Sequence, residues 1–261
     1  MAIDPRAEQA FGSEAEAYER HRPGWPGEAV ARALGCLGLG PESEVVDLAA
    51  GTGKLTRELI PLVGRVIAVE PSADMRRALA AAVPAAETLD GTAETIPLPD
   101  SSVDGLFAAE AFHWFATREA VAEIARVVRP GGGVALLWNM HQLGGDPWQA
   151  EAFATLGEIG APAPGQLGRH ELERWGQAFE GAPFDSFEEF SVPHEQRTDV
   201  PGLVEHILTW SHLRVLDDAK RDELRRELLS VLEREHPSPG DVVISYRARL
   251  YCARRTRGAR T

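Results

Sequence analysis

Cysteine is scarce. The 261 residues hold two, Cys36 and Cys252, which form no close pair, and no cysteine–histidine cluster has metal-ligand spacing. A disulfide framework and a metal centre are therefore not expected. Lysine is limited to Lys54 and Lys220, and 40 acidic residues against 27 basic ones leave a net charge of −13. A field of that sign repels phosphate backbones, so nucleic acid is not an expected partner. The arginines near the C-terminus, Arg254, Arg255, Arg257 and Arg260, read as a frayed end rather than a binding arm. Long apolar runs are missing too. None approaches membrane-spanning length, and the first residues lack the apolar core of a signal peptide. A cytoplasmic protein with no membrane partner is expected.

A hydrophobic content of 44% is enough for a real core, in one large domain or a core with an insertion. Pro26 can open a helix with Ala29, Val30, Ala33, Leu34 and Leu37 on one face. The patterning then predicts strands near 45–49, 65–70, 86–90, 103–109 and 134–139. Helices near 53–62 and 117–128 lie between them, and another starts after Pro71 and Ser72. Pro130 and the glycines after it stop the 117–128 helix. Strands alternating with helices imply a mostly parallel sheet with right-handed crossovers. The alternation breaks after Asn139. Residues 140–183 read as an irregular helical insertion, followed by a strand near 186–193, helices near 200–215 and 219–235, and a last strand at 244–251.

The stretch VVDLAAGTGKLT, residues 45–56, carries the most chemistry. An apolar run ends in Asp47, a turn of small residues follows (Ala49, Ala50, Gly51, Thr52, Gly53), and a helix begins. A second apolar run ends in Glu70. Strand, tight loop, helix and strand in that order open a doubly wound nucleoside-binding sheet. A dinucleotide site needs a third small residue after the turn, where this chain has Thr56, and Asp47 would repel a pyrophosphate. A cationic amino-acid ligand would welcome that acid, which favours S-adenosylmethionine (SAM) over NAD. Glu70 can accept hydrogen bonds from ribose hydroxyls.

Most of the chain resembles class I SAM-dependent methyltransferases of the type 11 group. YERHRPGWP (18–26) is similar to the family's N-terminal segment, VVDLAAGTG to its first motif and AVEPSADM (68–75) to its second-strand motif. GTAETIPLPDSSVDGLFAAEAFHWF (91–115) resembles the adenine-contacting loop with the fourth strand, and RVVRPGGGVALLWN (126–139) the helix with the fifth. HEQRTDVPGLVEHILTWSHLRVL (194–216) and SYRARLYCARR (245–255) are like a subgroup containing trans-aconitate methyltransferase-like proteins.

The resemblance implies a Rossmann-like, doubly wound, seven-stranded, mostly parallel α/β sheet with a helical lid. It implies SAM as cofactor, S-adenosylhomocysteine as product and a small-molecule acceptor, with O-methylation of a carboxylate or hydroxyl favoured. The rival functions are a SAM-binding protein without methyl transfer, cyclase-like or regulatory, and, less favoured, an NAD-dependent oxidoreductase. The cofactor residues implied are Tyr18, Arg22, Asp47, Ala49, Gly51, Thr52, Gly53, Glu70, Pro71, Met75, Thr92, Ala93, Glu94 and Glu110. Ala49 stands where the family has a glycine, a methyl tolerable at negative φ. Thr92 stands where many relatives have Asp, so the Ala93 backbone becomes the adenine contact.

His113 follows the fourth strand and is the candidate catalytic residue, as a base or an orienting group; the alternative is a packed floor of the pocket. Trp114, Trp138, Trp210 and His212 are candidate acceptor contacts, with Trp148 and Trp175 as further pocket linings. His206 and His212 are off the spacing of a helical metal pair, so no metal is expected. The domain organisation expected is a SAM-binding core with a helical cover (1–139), an acceptor-binding lid including the sixth strand (140–235), and a last core strand with a tail (236–261). The assembly expected is a monomer or homodimer.

Overall fold

The structure, a computed structural model, describes residues 19–142, 144, 146–158, 175–210, 213, 216–235 and 242–257. Tyr18 and His212, and much of the expected 140–183 insertion, lie outside them. The strands are β1 (Glu44–Leu48), β2 (Arg65–Val69), β3 (Glu87–Leu89), β4 (Val103–Ala109), β5 (Val128–His141), β6 (Glu188–Thr198) and β7 (Val242–Arg254). They form one sheet in the order β3-β2-β1-β4-β5-β7-β6. The first five pair in parallel, and β7 runs antiparallel to both β5 and β6. The helices are α1 (Gly27–Leu37), α2 (Lys54–Leu59), α3 (Ala73–Ala82), α4 (Arg118–Val127), α5 (Trp148–Glu158), α6 (Val200–Leu208) and α7 (Asp218–Glu235).

Both sheet faces are buried, which is why the central strands read as unbroken apolar runs. Val46, Leu106 and Leu136 face one side with Val121 and Ile124 of α4. Val45, Phe107 and Leu137 face the other with Val30, Ala33 and Leu37 of α1 and Leu55 of α2. Side chains one residue apart thus serve opposite layers. A third cluster joins α5, α6 and α7 over the start of β7, where Leu224, Leu228 and Leu232 form the buried stripe of α7. Side chains cap the helices as their types suggest: Ser72 accepts from Met75 N, Thr117 from Ala120 N and Asp199 from Gly202 N.

Three boundaries correct the sequence reading. Strand β5 begins at Val128, not 134, so Pro130 and its glycines lie in the strand rather than in a loop. A Cβ on Gly132 would lie 2.2 Å from Asp104 O, and one on Gly133 2.6 Å from Ala253 O. These glycines let neighbouring strands approach. Helix α2 ends at Leu59, because Pro61 has no N–H to continue it. Helix α6 ends at Leu208 rather than running to 215. The Thr209 hydroxyl donates to His206 O (2.6 Å) and its N–H tightens onto the same carbonyl (3.1 Å), closing the last turn.

Candidate active site

The chain reverses its direction across the sheet between β1 and β4, and ligands in such sheets lie beyond the carboxyl ends of the strands at that switch point. Asp47, Glu70, Glu110 and Asn139 all sit at that edge, on or just past β1, β2, β4 and β5.

The turn after β1 is held open by backbone geometry. Ala49, Gly51 and Gly53 all have positive φ, at 55°, 58° and 87°. The negative φ at which a methyl on residue 49 would be tolerated is not what the backbone adopts: Ala49 is held in left-handed backbone, a strain of about 1–2 kcal/mol. The turn conformation outweighs the residue, because Ala50 N must reach Val69 O (3.2 Å) and Gly53 N must reach Ala50 O (2.9 Å). A Cβ on Gly51 would meet nothing within 4 Å, so there is room above it. A Cβ on Gly53 would press on Leu79 at 3.0 Å, so that glycine lets α3 pack closely.

Asp47 is 1% exposed. Its Oδ2 accepts from the Thr56 hydroxyl at 2.6 Å. Burial pushes its carboxyl up to about 7, and the Glu70 charge adds to the rise. Thr56, read from the sequence only as a missing small residue, is therefore the partner of the buried acid. Glu70 staples two loops: Oε2 accepts from Gly51 N and Oε1 from Ser72 N, each at 2.9 Å. Each oxygen keeps a second lone pair. Burial raises this carboxyl as well. Pro71 accepts at its carbonyl from Arg76, and Met75 is buried. Thr92 and Thr95 exchange backbone hydrogen bonds at 3.2 Å, a tight turn that carries Ala93, buried, and Glu94. Glu110, also at positive φ (55°), accepts from Asn139 N, and burial raises its carboxyl above the usual range. One oxygen is therefore engaged by backbone, a tie the sequence did not suggest.

Residues 19–24 cross this edge as a strap. Glu19 accepts from Thr52 Oγ1 at 2.5 Å and Arg57 at 2.8 Å, and the Lys54 ammonium donates to its carbonyl. Burial pushes the Glu19 carboxyl up, but these hydrogen bonds hold it below its ordinary value. Further along, His21 O accepts from Gln196 Nε2 and faces His206 Nδ1, both at 3.0 Å. Arg22 donates to Thr209 O (2.9 Å) and Asn139 Nδ2 to Gly24 O (3.3 Å).

His113 lies on the 3-10 turn Phe112–Trp114. The Trp138 indole N–H donates to its Nδ1 at 3.1 Å, and burial lowers its pKa to about 4. Trp114 lies beside it, 40% exposed with ring centroids 5.0 Å apart. Trp138, 3% exposed, stacks on Trp175 in the core. Trp148 and Trp210 pack in the third cluster, with indole N–H groups donating to Val243 O and His206 Nε2.

Sequence reasoning missed a buried polar network at the same edge. His206 Nε2 lies 3.1 Å from Tyr246 Oη and 3.3 Å from His141 Nε2, and Tyr246 donates to Gln196 Oε1 at 3.2 Å. Burial lowers both imidazoles, with His206 well below its ordinary value, and the nearby Arg22 charge lowers them further. These residues come from β5, β6, α6 and β7, so no local spacing could signal them. No group of three or more potential metal ligands occurs among the described residues.

Residues 46–136 match the family described as Methyltransferase domain. An uncharacterized methyltransferase of Mycobacterium tuberculosis is 44% identical over 155 residues, 59% of this chain and 61% of that protein. The chain thus spans about three-fifths of the length of that relative. A malonyl-[acyl-carrier protein] O-methyltransferase of Methylococcus capsulatus is 35% identical over 115 residues, 42% of each chain. The solved structure of a proposed type II methyltransferase from Anaeromyxobacter dehalogenans matches with a TM-score of 0.65 at 24% identity, covering 90% of this chain and 98% of that one. The fold is the Rossmann-like fold shared with that methyltransferase structure, and residues 46–136 are similar to the methyltransferase family.

Proposed function

We propose that the protein is a SAM-dependent methyltransferase acting on a small-molecule acceptor, with a carboxylate oxygen favoured over a hydroxyl. The observation that carries the cofactor reading is Asp47. It is a desolvated carboxyl, raised to about 7, at the end of β1 beside an open glycine turn. Such a group is stabilised in its charged form by an incoming cation, and the methionine end of SAM presents an ammonium beside a sulfonium. When bound, that cofactor supplies an electrophilic methyl group.

The chain's own residues do the rest. Gly51 leaves room over the turn, the free lone pairs of Glu70 suit ribose hydroxyls, and the Thr92–Thr95 turn with Ala93 flanks an adenine. The strap of residues 19–24 covers the edge and excludes water, which protects the aligned approach of donor and acceptor. Residues 140–235 act as the lid that selects the acceptor. Carboxylates are ionised and nucleophilic at neutral pH, so this acceptor class needs no base. The likeness to a malonyl-[acyl-carrier protein] O-methyltransferase and to the trans-aconitate subgroup supports it. No helix among the described residues is long and apolar enough to cross a membrane.

The test is calorimetric titration with SAM and, separately, with NAD. S-adenosylhomocysteine release is then measured over a panel of mono-, di- and tricarboxylates, trans-aconitate included, and their hydroxyl analogues. Micromolar SAM binding, no NAD binding and turnover with a carboxylate are expected. SAM binding with no product from any acceptor would favour a SAM-binding protein without methyl transfer.

A further inference from the structure

We propose that His113 orients the acceptor as a fixed hydrogen-bond donor through Nε2, and that Trp138 is the positioning residue that sets this tautomer. The inference rests on the carboxylate reading above. An indole N–H can only donate, so the 3.1 Å contact from Trp138 Nε1 makes His113 Nδ1 the accepting nitrogen. The ring's one proton is then on Nε2. Burial keeps the ring neutral, and no nearby charge adds to the shift. Among the described residues Nε2 has no protein partner, and the His113 side chain is only partly buried.

Trp138 is itself held. It is 3% exposed, stacked on Trp175 at 5.7 Å and edge-on to Tyr251 at 5.8 Å. The donor is thus fixed from the sheet upward, and the exposed Trp114 ring flanks it. A neutral imidazole in this state has no free lone pair and cannot accept the acceptor's proton. It can hold a carboxylate oxygen by one N–H···O bond. The transfer then balances without a base: a carboxylate oxygen forms the new O–CH3 bond while the C–S bond of the sulfonium breaks, its electron pair staying on sulfur. A methyl ester and a thioether result, and no proton moves.

The first experiment is 15N NMR of the histidine-labelled protein, with the His113 signals assigned by their loss in His113→Gln. Wild type is expected to show an unprotonated, hydrogen-bonded Nδ1 and a protonated Nε2, unchanged from pH 8 to below pH 6. Trp138→Phe is expected to mix the tautomers, while the ring, still buried, stays neutral over the same pH range. A protonated Nδ1, or a wild-type ring that titrates near 6.5, overturns the proposal.

The second experiment is kinetic, with the carboxylate converted in the panel. His113→Gln keeps a donor but no base, and is expected to hold kcat within about tenfold while KM for the acceptor rises, with the pH profile of kcat at saturating SAM matching wild type's. A loss of order 10²–10⁴ in kcat, the usual contribution of a general base, overturns it. The spectra need no acceptor, so a wrong tautomer sinks this proposal alone. A correct tautomer with only hydroxyl acceptors methylated sinks both the carboxylate reading and the orienting role.

Discussion

Asp47→Asn isolates the electrostatic centre of the site. The folded chain raises the Asp47 carboxyl from 3.8 to about 7, first by burial and then by the Glu70 charge, against the hydrogen bond from Thr56. A folded pKa above the unfolded one means that the folded state binds the extra proton between those values. Stability from this group is therefore complete below about pH 4 and falls as pH rises through 7. Three units at about 1.4 kcal/mol each make a penalty of roughly 4 kcal/mol at pH 8, and about half of it develops between pH 5.5 and pH 8. Asparagine keeps an oxygen for the Thr56 hydroxyl and carries no charge.

Urea denaturation of both proteins across that range measures the difference directly. The variant is expected to gain about 2 kcal/mol on wild type between pH 5.5 and pH 8, while losing SAM affinity at pH 8. Wild-type SAM affinity is expected to rise as pH passes through 7, since the cation selects the ionised acid. A stability difference that does not change with pH would refute the reasoning, for Asp47 would then hold an ordinary carboxyl.

Three further outcomes follow from the geometry. Ala49→Gly relieves a left-handed alanine (φ 55°) and, after the added unfolded-state entropy of glycine, is expected to stabilise the chain by roughly 0.5–1 kcal/mol in urea melts; a destabilised variant would show the turn to be unstrained. Glu70→Ala removes the acceptor from Gly51 N and Ser72 N; a loss of about 1–3 kcal/mol in SAM binding is expected by calorimetry, and unchanged affinity counts against the ribose role. Leu228→Ala opens the buried face of α7 and is expected to lower stability by about 2–5 kcal/mol, with SAM affinity unchanged because the core site is made by other elements.

Much of the fold was legible because it is written locally. The runs VVDL and VIAV, the glycine turn and the capped helices each carry their pattern within a dozen residues, and the right-handed crossover rule leaves few ways to assemble them. The same locality exposed Asp47 and Glu70, since an acid that ends a buried strand interrupts an otherwise apolar run. Locality also misled. PGGG reads as a stop signal, yet in β5 those glycines serve a close approach between strands. The 200–215 helix looked continuous, yet α6 ends at Leu208, with the Thr209 N–H and hydroxyl both bonded back to His206 O.

By itself the sequence determined the class of sheet, the glycine turn and the two acids beside it, because periodicity and turn chemistry act between near neighbours. Only the tertiary structure decided the states of the groups there. It pressed Ala49 into left-handed backbone, made Thr56 the partner of Asp47, and joined His141, His206 and Tyr246 from separate elements into one buried network. It also brought Trp138 from β5 against His113 from the turn after β4. A pKa or a tautomer depends on desolvation and on partners distant in the chain, and a linear pattern does not encode either until the strands are side by side.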